Sequence, residues 1–174
     1  TDTNTGGGSN DVVGSTDYTD DTSHTIKDGQ AVADGAVKDT SPTTTNCTWA
    51  PRGDCINYCL GTASYFWQKY GNKVAVIGNT AYEAYSAAKS AGKVHEKSKN
   101  IPIGAIMWSH ASLDTDAGRQ GHAYIYVGGG KIVSTDINGD HTVGVAPASD
   151  IETKWNHTYE GWSDPHDLSQ LVSI

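Results

Sequence analysis

The chain has 174 residues, 20 acidic against 12 basic, and a formal net charge of −8. That length supports one domain with a real core and is short for two. An acidic chain without a Lys/Arg stripe argues against nucleic acid or an anionic membrane as partner, and no apolar run predicts a membrane-spanning helix.

Residues 1–45 are rich in Gly, Thr, Ser and Asp, with Val12, Val13, Tyr18, Ile26, Val32 and Val37 as the sizeable apolar groups. Residues 1–46 carry −6, so most of the charge lies here. So little apolar surface does not offset the entropy of ordering an independent fold. The segment reads as an acidic leader or linker, docked in part on a main domain over 46–174. Thr1 is not an initiator Met, which fits a processed chain, with secretion as the expected cause.

Three cysteines are an odd count, which in an oxidising compartment implies one disulfide and one free thiol. Cys47 and Cys55 can close a short loop through Pro51 and Gly53. A Cys55–Cys59 bridge within one helix is strained at that spacing. The expected bridge is therefore Cys47–Cys55, leaving Cys59 free.

Two helices are predicted. In the first, Cys59, Ala63, Phe66, Trp67 and Tyr70 follow the three-four spacing of a buried stripe, stopped at Gly71. The second opens on Thr80-Ala-Tyr-Glu83, a capping box, and buries Ala81, Ala84, Tyr85 and Ala88 before Gly92. Ala105–Trp108 reads as a strand, followed by a loop to Gly121. A hairpin comes next, His122–Val127 and Lys131–Asp136 around Gly128-Gly-Gly130, and then a strand over Val143–Ala146. Helices first and antiparallel strands afterwards predict an α+β fold, with the helices packed on one sheet.

A thiol at a helix start and an imidazole at a strand start are the parts of a cysteine hydrolase. Unpaired backbone N–H groups at the helix N-terminus favour a thiolate at Cys59, and His122 is the base to take its proton. Alternation puts His122, Tyr124 and Tyr126 on one face of the strand. If the three glycines form the whole turn, His122 lies opposite Asp136, whose carboxylate would orient the imidazole. A two-residue turn instead brings Thr135 opposite His122 and sends Asp136 to the other face. Neither His-x-x-x-His nor paired Cys-x-x-Cys spacing occurs, so no metal or other cofactor is expected.

Cys59-Leu-Gly61 followed by Tyr70-Gly71 resembles the nucleophile helix of the NlpC/P60 and CHAP superfamily of peptidoglycan hydrolases. Ile101-Pro-Ile-Gly-Ala-Ile-Met-Trp108 is similar to the strand that precedes its catalytic histidine. His122-Ala-Tyr-Ile-Tyr-Val-Gly-Gly-Gly-Lys-Ile-Val133 resembles its histidine hairpin, and Tyr159-Glu-Gly-Trp-Ser-Asp164 is similar to the ending of some members. Together these stretches span residues 46–165. Two departures stand out. Ala105 replaces a common Asp, and Ser134 occupies the place where many members carry a third polar residue, often His. Cys47-Thr-Trp49 imitates the CHAP nucleophile motif, but Pro51 and Gly53 follow it closely, and only Cys59 opens a sustained apolar stripe.

The resemblance implies a papain-like fold and a secreted or cell-wall monomer acting on bacterial peptidoglycan. The implied reaction is cleavage of a stem-peptide amide, as a D,L-endopeptidase or, second, an N-acetylmuramoyl-L-alanine amidase. Cys59, His122 and Asp136 are the expected catalytic residues, and Tyr58, Trp108, Tyr124 and Ser134 the expected substrate contacts. A non-catalytic wall- or protein-binding module on the same fold is the alternative of another class.

Overall fold

The computed structural model describes residues 12–42, 58–71 and 80–165. Cys47 and Cys55, and with them the expected disulfide, lie outside the described residues, and so does Trp49. The elements run β1 (Thr19–Asp20), α1 (Gly29–Lys38), α2 (Tyr58–Gly71), α3 (Ala81–Ser90), β2 (His95–Glu96), β3 (Asn100–Ile101) and β4 (Ile106–His110). They continue with α4 (Asp116–Gln120), β5 (His122–Gly128), β6 (Lys131–Thr135), β7 (Val143–Pro147), α5 (Asp150–Thr153) and β8 (Thr158–Ser163). β1 pairs in parallel with β3, and the other six strands form an antiparallel sheet in the order β2-β8-β4-β5-β6-β7. The fold class is α+β.

Strand alternation gives the sheet two buried faces. Ile106, Trp108, Ala123, Ile125 and Val133 face α1, α2 and α3, and pack on Val32, Ala36, Phe66, Trp67 and Ala84. Met107, Tyr124, Tyr126, Ile132 and Trp162 face the other way, where Tyr18, Ile101, Ile137 and Ile151 cover them. Both faces being dry explains why every residue of β4 is buried.

The two predicted helices form with nearly the expected bounds. α2 is anchored by Trp67, whose Nε1–H donates to the Gly104 carbonyl at 3.0 Å. α3 begins at Thr80, whose hydroxyl oxygen accepts from the Glu83 N–H at 3.0 Å, the N-cap half of the expected capping box.

Residues 12–42 pack on the rest of the chain, further than the partial docking expected of this segment. α1 packs on α2 and places Val32 and Ala36 in the helix-side core, while Tyr18 is buried on the opposite face. Val32, Ala33 and Ala36 share one side of α1 and are buried, whereas Val13, ahead of the helix, is exposed. Among the described residues, no helix is long and apolar enough to cross a membrane.

Candidate active site

Cys59 is the second residue of α2, in the turn whose backbone N–H groups lack intrahelical partners. It is free and partly buried, packed against the helix-side core. Burial pushes its thiol above the ordinary range, against the opposing pull of the N–H groups of Ala123, Leu60 and Cys59 itself. The raised pKa favours the neutral thiol at Cys59. A narrow depression adjoins it, with Thr62, Phe66, Ala123, Ser134 and Thr135 among its lining residues.

His122 opens β5, directly before the residue whose N–H meets the sulfur. Alternation turns Ala123 toward α2 and the His122 ring toward the other face, where Tyr124 stacks on it at 5.2 Å and Trp155 meets it edge-on at 4.8 Å. Its Nε2 lies 2.7 Å from Ser134 Oγ, and the Ser134 hydroxyl in turn donates to the Thr135 carbonyl at 3.0 Å. A hydroxyl has one proton, so with that proton spent on Thr135 the Ser134 oxygen must accept from Nε2–H. The neutral ring then carries its lone pair on Nδ1, to which no described residue donates a hydrogen bond. Burial, with the nearby His157 adding to it, pushes the His122 pKa down to about 3. The imidazole is uncharged at rest.

The hairpin pairs Ile125 with Val133 and Tyr126 with Ile132, the register expected of the three-glycine turn. By that count Asp136 is across from His122, yet it does not orient the ring. β6 ends at Thr135, and Asp136 takes φ 63°, in the left-handed region. Its carboxylate accepts from the His141 N–H at 2.6 Å and closes the turn that follows. Ser134 holds the position expected of Asp136.

The expected substrate contacts also need correcting. Trp108 is 1% exposed, and its Nε1–H donates to Ser163 Oγ at 2.7 Å inside the core. Tyr124 is equally buried, as a stacking partner of His122. Ser134 is His122's hydrogen-bond acceptor. Tyr58 begins α2, and its side chain lies outside the described residues.

Sequence reasoning offered Trp155 as a groove or core residue but overlooked His157. His157 lies 5.3 Å from Trp155 and 6.1 Å from His122, and its Nδ1 is 2.8 Å from Ser109 Oγ. Burial, followed by the influence of His110, lowers its pKa to about 4. The alternation Trp155, His157, Tyr159 leading into β8 was the available signal, masked by Gly161 in the middle of that strand. His110 sits on the helix side, with Nε2 2.6 Å from Glu160 Oε2 and Tyr82 edge-on at 5.3 Å. Among the described residues, no group of three His, Cys, Asp or Glu side chains converges as a metal site would require.

No protein-family model matches the chain, and no curated protein matches it.

Proposed function

We propose that this chain is a cysteine-dependent amide hydrolase on a papain-like scaffold of the NlpC/P60 type, acting on bacterial peptidoglycan. The observation that carries this reading is the Ser134–His122 hydrogen bond. It fixes the tautomer whose lone pair is on Nδ1, on a residue whose chain neighbour already touches the Cys59 sulfur. The reading requires that Nδ1 reach the sulfur from the first residue of β5, whose ring rests against Tyr124 and Trp155.

Because thiol and imidazole are both neutral at rest, proton transfer accompanies attack and is not preceded by an ion pair. Cys59 Sγ attacks the amide carbon as its proton passes to Nδ1. The leaving amine takes that proton, and a thioester remains. Water, deprotonated by Nδ1, then attacks the thioester, and the departing sulfur recovers its proton. The backbone N–H of Cys59, in the open first turn of α2, is the proposed oxyanion donor. Ser134 replaces Asp136 as the third member, orienting the ring without supplying a negative charge.

The bond proposed is a stem-peptide amide, cut as a D,L-endopeptidase, with muramoyl-alanine amidase activity as the second choice. The setting is secreted or in the cell wall, as a monomer. A non-catalytic wall-binding module is the competing reading, favoured by the buried thiol and the uncharged third residue. Incubation with purified peptidoglycan, followed by mass spectrometry of the soluble products, separates the two. Released peptides bearing new amino termini, lost in Cys59→Ala and in His122→Ala, are the expected result. Wall binding without new termini leaves only the module.

A further inference from the structure

Two hydroxyls beside Cys59 have no hydrogen-bond partner among the described residues. Thr62 Oγ1 and Thr135 Oγ1 are unpaired, and their side chains are 4% and 3% exposed. They reach the depression next to the sulfur from opposite walls, Thr62 from α2 and Thr135 from β6. Buried unpaired hydroxyls are costly and are kept where something offsets them. The depression is too narrow for a water molecule, so water does not supply the missing partner. Thr62 in mid-helix also does not make the bond to the carbonyl four residues back that threonine often adopts.

The other residues on this lining with polar side chains are Tyr124, Ser134 and Cys59, and the Tyr124 hydroxyl is engaged with Ser109. Ser134 is already committed, accepting from His122 and donating to Thr135. Sulfur is a weak acceptor as a thiol and a strong one as a thiolate. We propose that Thr62 and Thr135 are positioning residues for the nucleophile: as the thiol proton passes to His122 Nδ1, both hydroxyls turn about Cα–Cβ and donate to the Cys59 sulfur. No other bond changes in this step. Rotation about χ1 exchanges the hydroxyl with a methyl or hydrogen position and needs little added volume. In the resting state the hydroxyls are held unpaired by the same packing that keeps water out, so the negative sulfur meets donors for which nothing competes once they turn. This role presupposes Cys59 as the nucleophile.

The test is alkylation of the full chain by iodoacetamide across pH, followed at the Cys59 peptide by mass spectrometry. Thr62→Val and Thr135→Val keep the shape and remove the donor, while Thr62→Ser and Thr135→Ser keep the donor. Losing a hydrogen bond to a charged group is expected to slow Cys59 alkylation about tenfold below its midpoint in each Val variant. The Ser variants should follow the wild-type profile. Melting temperatures of the Val variants should equal or exceed that of the wild type, because no folded-state hydrogen bond is lost. Unchanged alkylation in both Val variants overturns the proposal. So does a Val variant that melts well below the wild type or fails to fold, which would give the hydroxyl a structural partner. A shifted profile in a protein that releases no wall peptides would refute the hydrolase reading alone, and peptide release with unshifted profiles would refute this one alone.

Discussion

At the residue scale, Ser134 decides what His122 can do. Its single proton is directed at the Thr135 carbonyl, and that assignment makes Nε2 a donor and leaves the lone pair on Nδ1. Ser134→Ala leaves Nε2–H buried without an acceptor, at a cost of about 1–3 kcal/mol in stability. It also frees the ring to take the other tautomer, so peptide release should fall about 10- to 100-fold with substrate affinity little changed. Nitrogen chemical shifts of the His122 ring would register the tautomer directly, and an unchanged Nε2–H form in the variant would count against this role. That Cys59 stands at a helix start and His122 at a strand start was legible in the sequence. The third member was not, because hairpin register says which residues are opposite and not where the strand stops. A left-handed φ at Asp136 withdraws its carboxylate, and Ser134 is left as the residue on that face within reach.

Among the elements, α2 and α3 declare themselves through large apolar residues at helical spacing, while α1 does not. Its buried face is Gly29, Val32, Ala33 and Ala36, which reads as weakly apolar sequence. Small residues serve here because the helices lie close together. A Cβ at Gly35 would come within 2.5 Å of the Tyr70 ring. β8 was concealed for a different reason: Gly161, at φ 135°, lies among its aromatics where the pairing with β4 shifts register. The α1–α2 pair is fastened at its end by Asp39, which is 8% exposed and accepts from Lys69 Nζ at 2.8 Å, Tyr70 OH at 3.0 Å and Tyr65 OH at 3.1 Å. Burial works to raise its carboxyl pKa, but the hydrogen bonds from Lys69, Ser41 and Tyr70 prevail and hold it below the usual carboxylate range. A folded-state pKa below the unfolded value means this contribution is complete above about pH 4 and is lost as pH falls through the folded pKa. Asp39→Asn should therefore cost about 2 kcal/mol at pH 7 by denaturant unfolding, and the gap from the wild type should narrow steadily on acidification below pH 4. A gap that stays constant to pH 2 would mean that the charge does not fasten the helices.

For the molecule as a whole, the question is where the domain begins. Acidic, glycine-rich composition set residues 1–45 apart, because composition counts apolar groups without showing what they touch. In the folded chain this segment, through residues 12–42, contributes to both faces of the sheet. β1 runs beside β3, Tyr18 closes the face that carries His122, and α1 backs the helix that carries Cys59. It also secures the tip of the histidine hairpin. Asp20 Oδ1 accepts from Tyr126 OH at 2.6 Å and from the Gly129 N–H at 2.9 Å, and the Ser15 N–H donates to the Gly130 carbonyl at 3.0 Å. Its acidic residues are thus partly structural, with Asp20 and Asp39 each spent on a specific set of donors. Deleting residues 1–42 would uncover apolar surface on both faces at once, a loss larger than the stability of a typical domain. The shortened chain should show no cooperative thermal transition and little near-ultraviolet circular dichroism, whereas the full chain unfolds in one step. If the shortened chain melted cooperatively near the wild-type temperature, the segment would be a separable leader after all. The sheet would then have to hold His122 and Ser134 in register without the clamp at the hairpin tip.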